Sequence, residues 1–194
     1  MRRDELDRVR REFDESIAVK RMWSDELVGS LVELARLVSD AFRSQGKVVL
    51  FADCASAADA QHIAAERFGR YLRARDPLGA MVLHANTSAL TAIANDYESE
   101  AVFERQVQAW VEPQDAVIGI STSGNSANVL RGLAAARKRG AFAAALTEEG
   151  GGQCADACVL PCAIPSRDIP RIQESHITFG NILCGLIQES LASI

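Results

Sequence analysis

The sequence predicts an α/β fold, a three-layer sandwich in which a parallel sheet of five strands is flanked by helices on both faces. Three observations carry that prediction. Short, continuously apolar runs recur along the chain, as strands buried on both faces require. Segments rich in Ala, Leu, Arg and Glu at helical spacing lie between them. Strand and helix alternate, so the strands pair in parallel through right-handed crossovers.

In chain order, Asp4–Trp23 reads as a charged helix outside the sandwich, suited to packing at a subunit interface. Ser24 to Phe42 carries Leu27, Leu31, Leu34 and Val38 at helical spacing, with a second apolar stripe through Leu37. Lys47–Phe51 is the first strand, after Gly46, and Met81–His84 the second, after the Pro77/Gly79 break. Ala116–Ile120, Ala141–Leu146 and Ala157–Leu160 complete the set. Helices are expected over Ser56–Leu72, Ser88–Ala94 with Glu98–Trp110, Ser126–Arg139, and about Pro170 to Leu191. The 194 residues fit one domain, 1–194, and hold no internal repeat or low-complexity tract.

Composition narrows the function classes. Acidic residues outnumber basic ones, 26 to 21, and the basic residues of RRDELDRVRRE are interleaved with acids, which argues against a phosphate-backbone surface. No apolar run reaches the roughly 18–20 residues of a membrane span, and the N-terminus lacks a signal-peptide core, so a cytoplasmic location is expected. The five cysteines contain no CxxC pair, so buried free thiols are expected rather than disulfides or a cysteine-zinc site.

Ligands of such sheets bind beyond the carboxyl ends of the strands. There the clearest signal is ISTSGNSANVLRGLAAAR, residues 120–137: a buried strand, a cluster of hydroxyls, one glycine, then a helix. Ser121, Thr122, Ser123 and Ser126 each offer an O–H, and the helix adds unpaired N–H groups and a positive dipole end. Together they suit a phosphate monoester. The plainer reading makes Ser126 an N-cap and Gly124 a turn residue, which leaves three consecutive hydroxyls without a purpose.

STSGNS, TAIANDY at 91–97, SAADAQHIAAE at 56–66 and RIQESH at 171–176 lie in one register. With them, nearly the whole chain resembles the sugar isomerase (SIS) family in its phosphoheptose isomerase branch. The resemblance implies a homotetramer with sites between subunits. It also implies conversion of sedoheptulose 7-phosphate to an aldoheptose 7-phosphate through an enediol, the work of an intramolecular oxidoreductase. Carried over by position, Ser121, Thr122, Ser123 and Ser126 would bind phosphate, and Ser56, Asn95, Asp96 and Gln173 would contact the sugar. His62, Glu66 and Gln173 would hold a zinc ion, with Glu66 also the proton-abstracting base. Taken alone, an i, i+4 pair such as His62 and Glu66 is more often a surface ion pair.

The chain departs from the family pattern twice. Where the family turn reads glycine, asparagine, two glycines and serine, this chain has Ala52, Asp53, Cys54, Ala55 and Ser56, with Asp53, Cys54 and Ala55 at substrate-facing positions. The non-glycine residues are expected to strain a turn built for positive φ. Where the family has a last-helix histidine as fourth ligand and general acid, this chain has Asn181, which cannot shuttle a proton near neutral pH. His176 lies nearby as a conceivable substitute. These departures leave two further readings: a catalytically impaired protein that binds a sugar phosphate or a protein partner in a regulatory role, and an isomerase for a different phosphorylated ketose.

Overall fold

In the computed structural model, which describes residues 3–69 and 71–192, the expected sandwich forms. Five parallel strands are arranged in the order β2-β1-β3-β4-β5. They are β1 (Val48–Ala52), β2 (Ala80–Val82), β3 (Ala116–Ile120), β4 (Phe142–Thr147) and β5 (Leu160–Ala163). The helices are α1 (Arg3–Arg21), α2 (Asp25–Arg43), α3 (Cys54–Phe68), α4 (Thr87–Asp96), α5 (Val102–Trp110), α6 (Ala127–Lys138), α7 (Gly152–Ala157) and α8 (Ile169–Ala192).

The apolar runs divide between two cores by simple alternation. Val48, Leu50 and Ala52 face α2, α3 and α8, while Val49 and Phe51 face α5 and α6. Neighbouring β3 and β4 do the same, so every strand residue of β1 and β3 is buried. Burial on both faces explains why these strands read as unbroken hydrophobic runs. The start of the sheet is pinned by Asp115, 2% exposed, whose carboxylate accepts from Lys47 N at 2.9 Å, Lys47 Nζ at 2.6 Å and Glu112 N at 2.8 Å.

Among the strands, the last departs most from expectation. The fifth strand lies at Leu160–Ala163 instead of Ala157–Leu160, because Gly152–Ala157 forms the short helix α7. Pro161 falls inside β5, and an edge position lets a residue without an N–H sit there. All five cysteines are free; Cys154, Cys158, Cys162 and Cys184 are buried as expected, but Cys54 is exposed. Among the described residues no helix is long and apolar enough to cross a membrane.

Helix α1 lies outside the sandwich, and every residue of it stays at least partly exposed. It is latched to α8 by Arg171, itself 7% exposed, which donates to the Glu12 carbonyl and, at 3.1 Å, to the Glu12 carboxylate. His176 on α8 is fully buried, and its Nε2 lies 3.3 Å from the Thr147 carbonyl. Desolvation pushes its pKa from 6.5 down to about 4. It is therefore a structural imidazole inside the core, out of reach of a ligand.

Two outcomes follow from these contacts. Arg171→Ala removes charge-assisted bonds that tie α1 down and should cost about 2 kcal/mol. Amide exchange should quicken across Arg3–Arg21 while the sheet stays protected. The unfolded chain protonates His176 below about pH 6.5, whereas the folded one resists until about pH 4. Stability should therefore fall as pH drops through that window, by about 3 kcal/mol in total, and His176→Gln should flatten the dependence in denaturation curves.

Candidate active site

Strands β1 and β3 pair in register from Val48↔Ala116 to Ala52↔Ile120, so the residues just beyond their carboxyl ends, Asp53 and Ser121, stand side by side. This places the altered turn next to the hydroxyl loop. The loop itself, Ser121 to Ser126, is tightly braced. Ser121 is 3% exposed, and its Oγ lies 3.0 Å from Ser126 Oγ. Gly124 takes φ +64°, and a Cβ there would lie 2.2 Å from the Gly151 carbonyl oxygen. Only glycine fits that crossing.

The β4–α7 connection completes the brace: Cys154 N donates to the Gly124 carbonyl at 2.8 Å, and Gln153 N to Asn125 Oδ1 at 3.1 Å. Asn125 in turn donates to the Ser123 carbonyl at 2.7 Å. The result is a fixed loop with partly exposed Thr122 and exposed Ser123 at the start of a 12-residue helix. Hydroxyls beside a helix N-terminus are suited to an anion.

The turn Ala52–Ser56 carries its strain at one point. Cys54 has φ +51°, while Ala52 is an ordinary strand residue and Asp53 is extended at φ −110°. Of the three positions where the family pattern has glycine, only that of Cys54 requires positive φ. Asp53 does not cap α3; its Oδ1 accepts from Asn128 Nδ2 at 2.8 Å, which ties the turn to the first turn of α6. Ser56 is buried at 4% exposure, and Ala55 is exposed on the first turn of α3. Asp53, Cys54, His84 and Asn128 line a cavity of about 460 Å³ roofed by Leu90 and Thr91 of α4. Asn95 and Asp96, at the end of α4, are exposed, and Asn95 Nδ2 donates to Asp96 Oδ1 at 2.9 Å.

His84 and Asn128 escaped the sequence reading. His84 Nε2 lies 2.9 Å from the Ala57 carbonyl, and burial lowers the pKa of its ring. Asn128 had a usable signal: an amide two residues after the N-cap Ser126 can reach back across the strand ends.

The remaining candidates lie elsewhere on the same helices. Glu66 follows Ser56 by ten residues of α3, about 15 Å at the helical rise, so it sits towards the opposite end of the sandwich from the hydroxyl loop. His62 and Asn181 meet there, with His62 Nε2 3.2 Å from Asn181 Oδ1. Gln173 precedes Asn181 by eight residues of α8, about 12 Å. One chain therefore brings His62, Glu66 and Asn181 to one face and leaves Gln173 two turns away.

That donor set does not fit zinc. It supplies one imidazole and one carboxylate, and the third member is an amide oxygen, a weaker zinc ligand, already facing the imidazole. Among the described residues no three His, Cys, Asp or Glu side chains are grouped to hold a metal ion.

Two substitutions test the geometry. Cys54→Gly should relieve the left-handed strain and stabilise the fold by about 0.5–1 kcal/mol in chemical denaturation. Gly124→Ala should do the reverse, lowering Tm and loosening the 121–126 loop in amide exchange.

Comparison with known proteins gives the family and the fold. Residues 13–148 match the SIS domain model. A phosphoheptose isomerase of Rhodospirillum rubrum is 48% identical over 164 residues, 84% of this chain and 87% of that protein. One of Aquifex aeolicus is 46% identical over 184 residues, 95% of this chain and 96% of its own length. A solved phosphoheptose isomerase of Neisseria gonorrhoeae superposes with TM-score 0.87 at 39% identity, covering 94% of this chain and 98% of its own. One of Francisella tularensis gives 0.91 at 28% identity, covering 95% and 98%. Fold, hydroxyl loop and similarity along the whole chain converge: this protein belongs to the SIS domain family, in its phosphoheptose isomerase branch.

Proposed function

We propose that the chain is a ketol isomerase that interconverts sedoheptulose 7-phosphate and an aldoheptose 7-phosphate. The observation that carries this reading is the braced 121–126 loop beside the Asp53 turn, where hydroxyls adjoin a largely apolar cavity of about 460 Å³ with Asp53, His84 and Asn128 as its polar points. Ser121, Thr122, Ser123 and Ser126 hold the phosphate with the N-terminal N–H groups of α6. Asp53 and Ser56, with Asn95 and Asp96 at the rim, meet the sugar hydroxyls.

Chemistry needs a base beside the carbonyl. Glu66 removes the proton from the carbon next to it, giving the enediol, and returns it to the neighbouring carbon, while the two oxygens exchange hydrogen. Glu66 stands about 15 Å along α3 from Ser56 of its own chain, so a single sugar phosphate takes its base and its phosphate loop from different copies. Homotetramer assembly follows from this reading. Phe68, 59% exposed, Leu72, 75%, and Ile182, 43%, are apolar side chains close in sequence to Glu66 and Asn181 that a neighbouring copy would cover. Exposed Phe13 and Ile17 put α1 in the same interface class. The reading places the protein in the cytoplasm, with phosphorylated sugar as its small-molecule partner.

Asn181 favours one other reading, a protein that binds sugar phosphates without converting them, because no imidazole stands at that position. Turnover separates the two. Purified protein should convert sedoheptulose 7-phosphate, and Glu66→Gln should lower kcat by about 10²-fold or more. Ser123→Ala should raise KM with a smaller effect on kcat. Ligand-induced stabilisation with no conversion of any C6–C8 ketose phosphate would leave the binding reading in place.

A further inference from the structure

The contacts of Asn181 define the state of His62. Asn181 Nδ2 donates to the Ile177 carbonyl at 3.0 Å, which turns Oδ1 towards His62. The Asn181 backbone is fixed as well, because its carbonyl accepts from Tyr71 Oη at 2.8 Å. An amide oxygen is an acceptor only, so the ring nitrogen 3.2 Å away must carry a proton. In a neutral imidazole the lone pair is then left on Nδ1.

A transition metal takes an imidazole through a bare nitrogen. Binding through Nε2 would require that nitrogen to lose its proton and the amide contact, with Asp59 and Glu66 of the same helix as the carboxylates nearby. Gln173, two helical turns along α8, does not close the set within the chain.

We propose that this chain's site is metal-independent, with His62 locked by Asn181 as an Nε2–H hydrogen-bonding imidazole instead of a metal ligand. The inference deepens the isomerase reading and depends on it only for the purpose of the site. Asn181 is the residue that decides the matter: its amide oxygen engages Nε2, so only Nδ1 stays bare, and among the described residues no two further His, Cys, Asp or Glu side chains gather with His62 to hold a metal ion. A second imidazole at 181, beside His62 and Glu66, would supply two nitrogens and a carboxylate, a donor set that zinc accepts with water in the fourth position.

The test is read without turnover. Full-length wild type, Asn181→His and His62→Ala are incubated with Zn²⁺, dialysed, and assayed for metal by mass spectrometry, while ¹⁵N NMR reports the His62 tautomer. Wild type should retain well under one zinc per chain, and His62 should keep its Nε2–H signal when zinc is added. Asn181→His should retain about one zinc per chain. One equivalent held by wild type and lost in His62→Ala would overturn the proposal, as would an Nδ1–H tautomer in wild type. Should turnover be detected, a chelator should leave it unchanged, and its loss would also count against metal independence. If sedoheptulose 7-phosphate is never converted, the isomerase reading fails while the metal result stands by itself.

Discussion

Parallel pairing with both faces covered is the constraint on which the rest of this structure depends. Once α2, α3 and α8 cover one face of the sheet and α5 and α6 the other, the carboxyl ends of β1 and β3 are where loops with exposed polar groups can gather. The register Ala52↔Ile120 then fixes which loops meet. The hydroxyl loop and the 52–56 turn are neighbours because their strands are, and the Asp53–Asn128 contact ties them together.

Within that frame the site is held by close backbone crossings and amides more than by ion pairs. Gly124 passes against Gly151, and Asn125 and Asn128 each span two loops or a loop and a helix. Such contacts tolerate change at one position when neighbours supply the constraint. The turn keeps its course with Cys54 in a left-handed conformation because Ala52 is anchored in β1 and α3 begins at once. At the far end of α3, Asn181 Oδ1 faces the His62 ring at 3.2 Å.

Much of this was legible in order along the chain. Val48–Ala52 and Ala116–Ile120 announced themselves by unbroken apolarity, and Leu27, Leu31 and Leu34 by their spacing, because burial selects those side chains directly. The segment around 150–163 was not legible. Three consecutive glycines and the short helix Gly152–Ala157 carry no periodic signal, and β5 includes a proline that only its edge position accommodates. The candidate site divides in the same way: the hydroxyls of STSGNS are a local pattern, whereas His84 and Asn128 join the cavity only through folding.

By itself the sequence determined the alternation of strand and helix, the hydroxyl-rich loop after β3, and the two departures at 52–55 and 181, since each is a property of neighbouring residues. Tertiary structure decided the rest. It decided that a single altered residue of the turn, Cys54, carries positive φ. It decided also that Asn181 Oδ1 meets His62. The His62–Asn181 contact joins segments 119 residues apart, and the Cys54 dihedral is set where β1 hands over to α3, so both become fixed only when the helices close over the sheet.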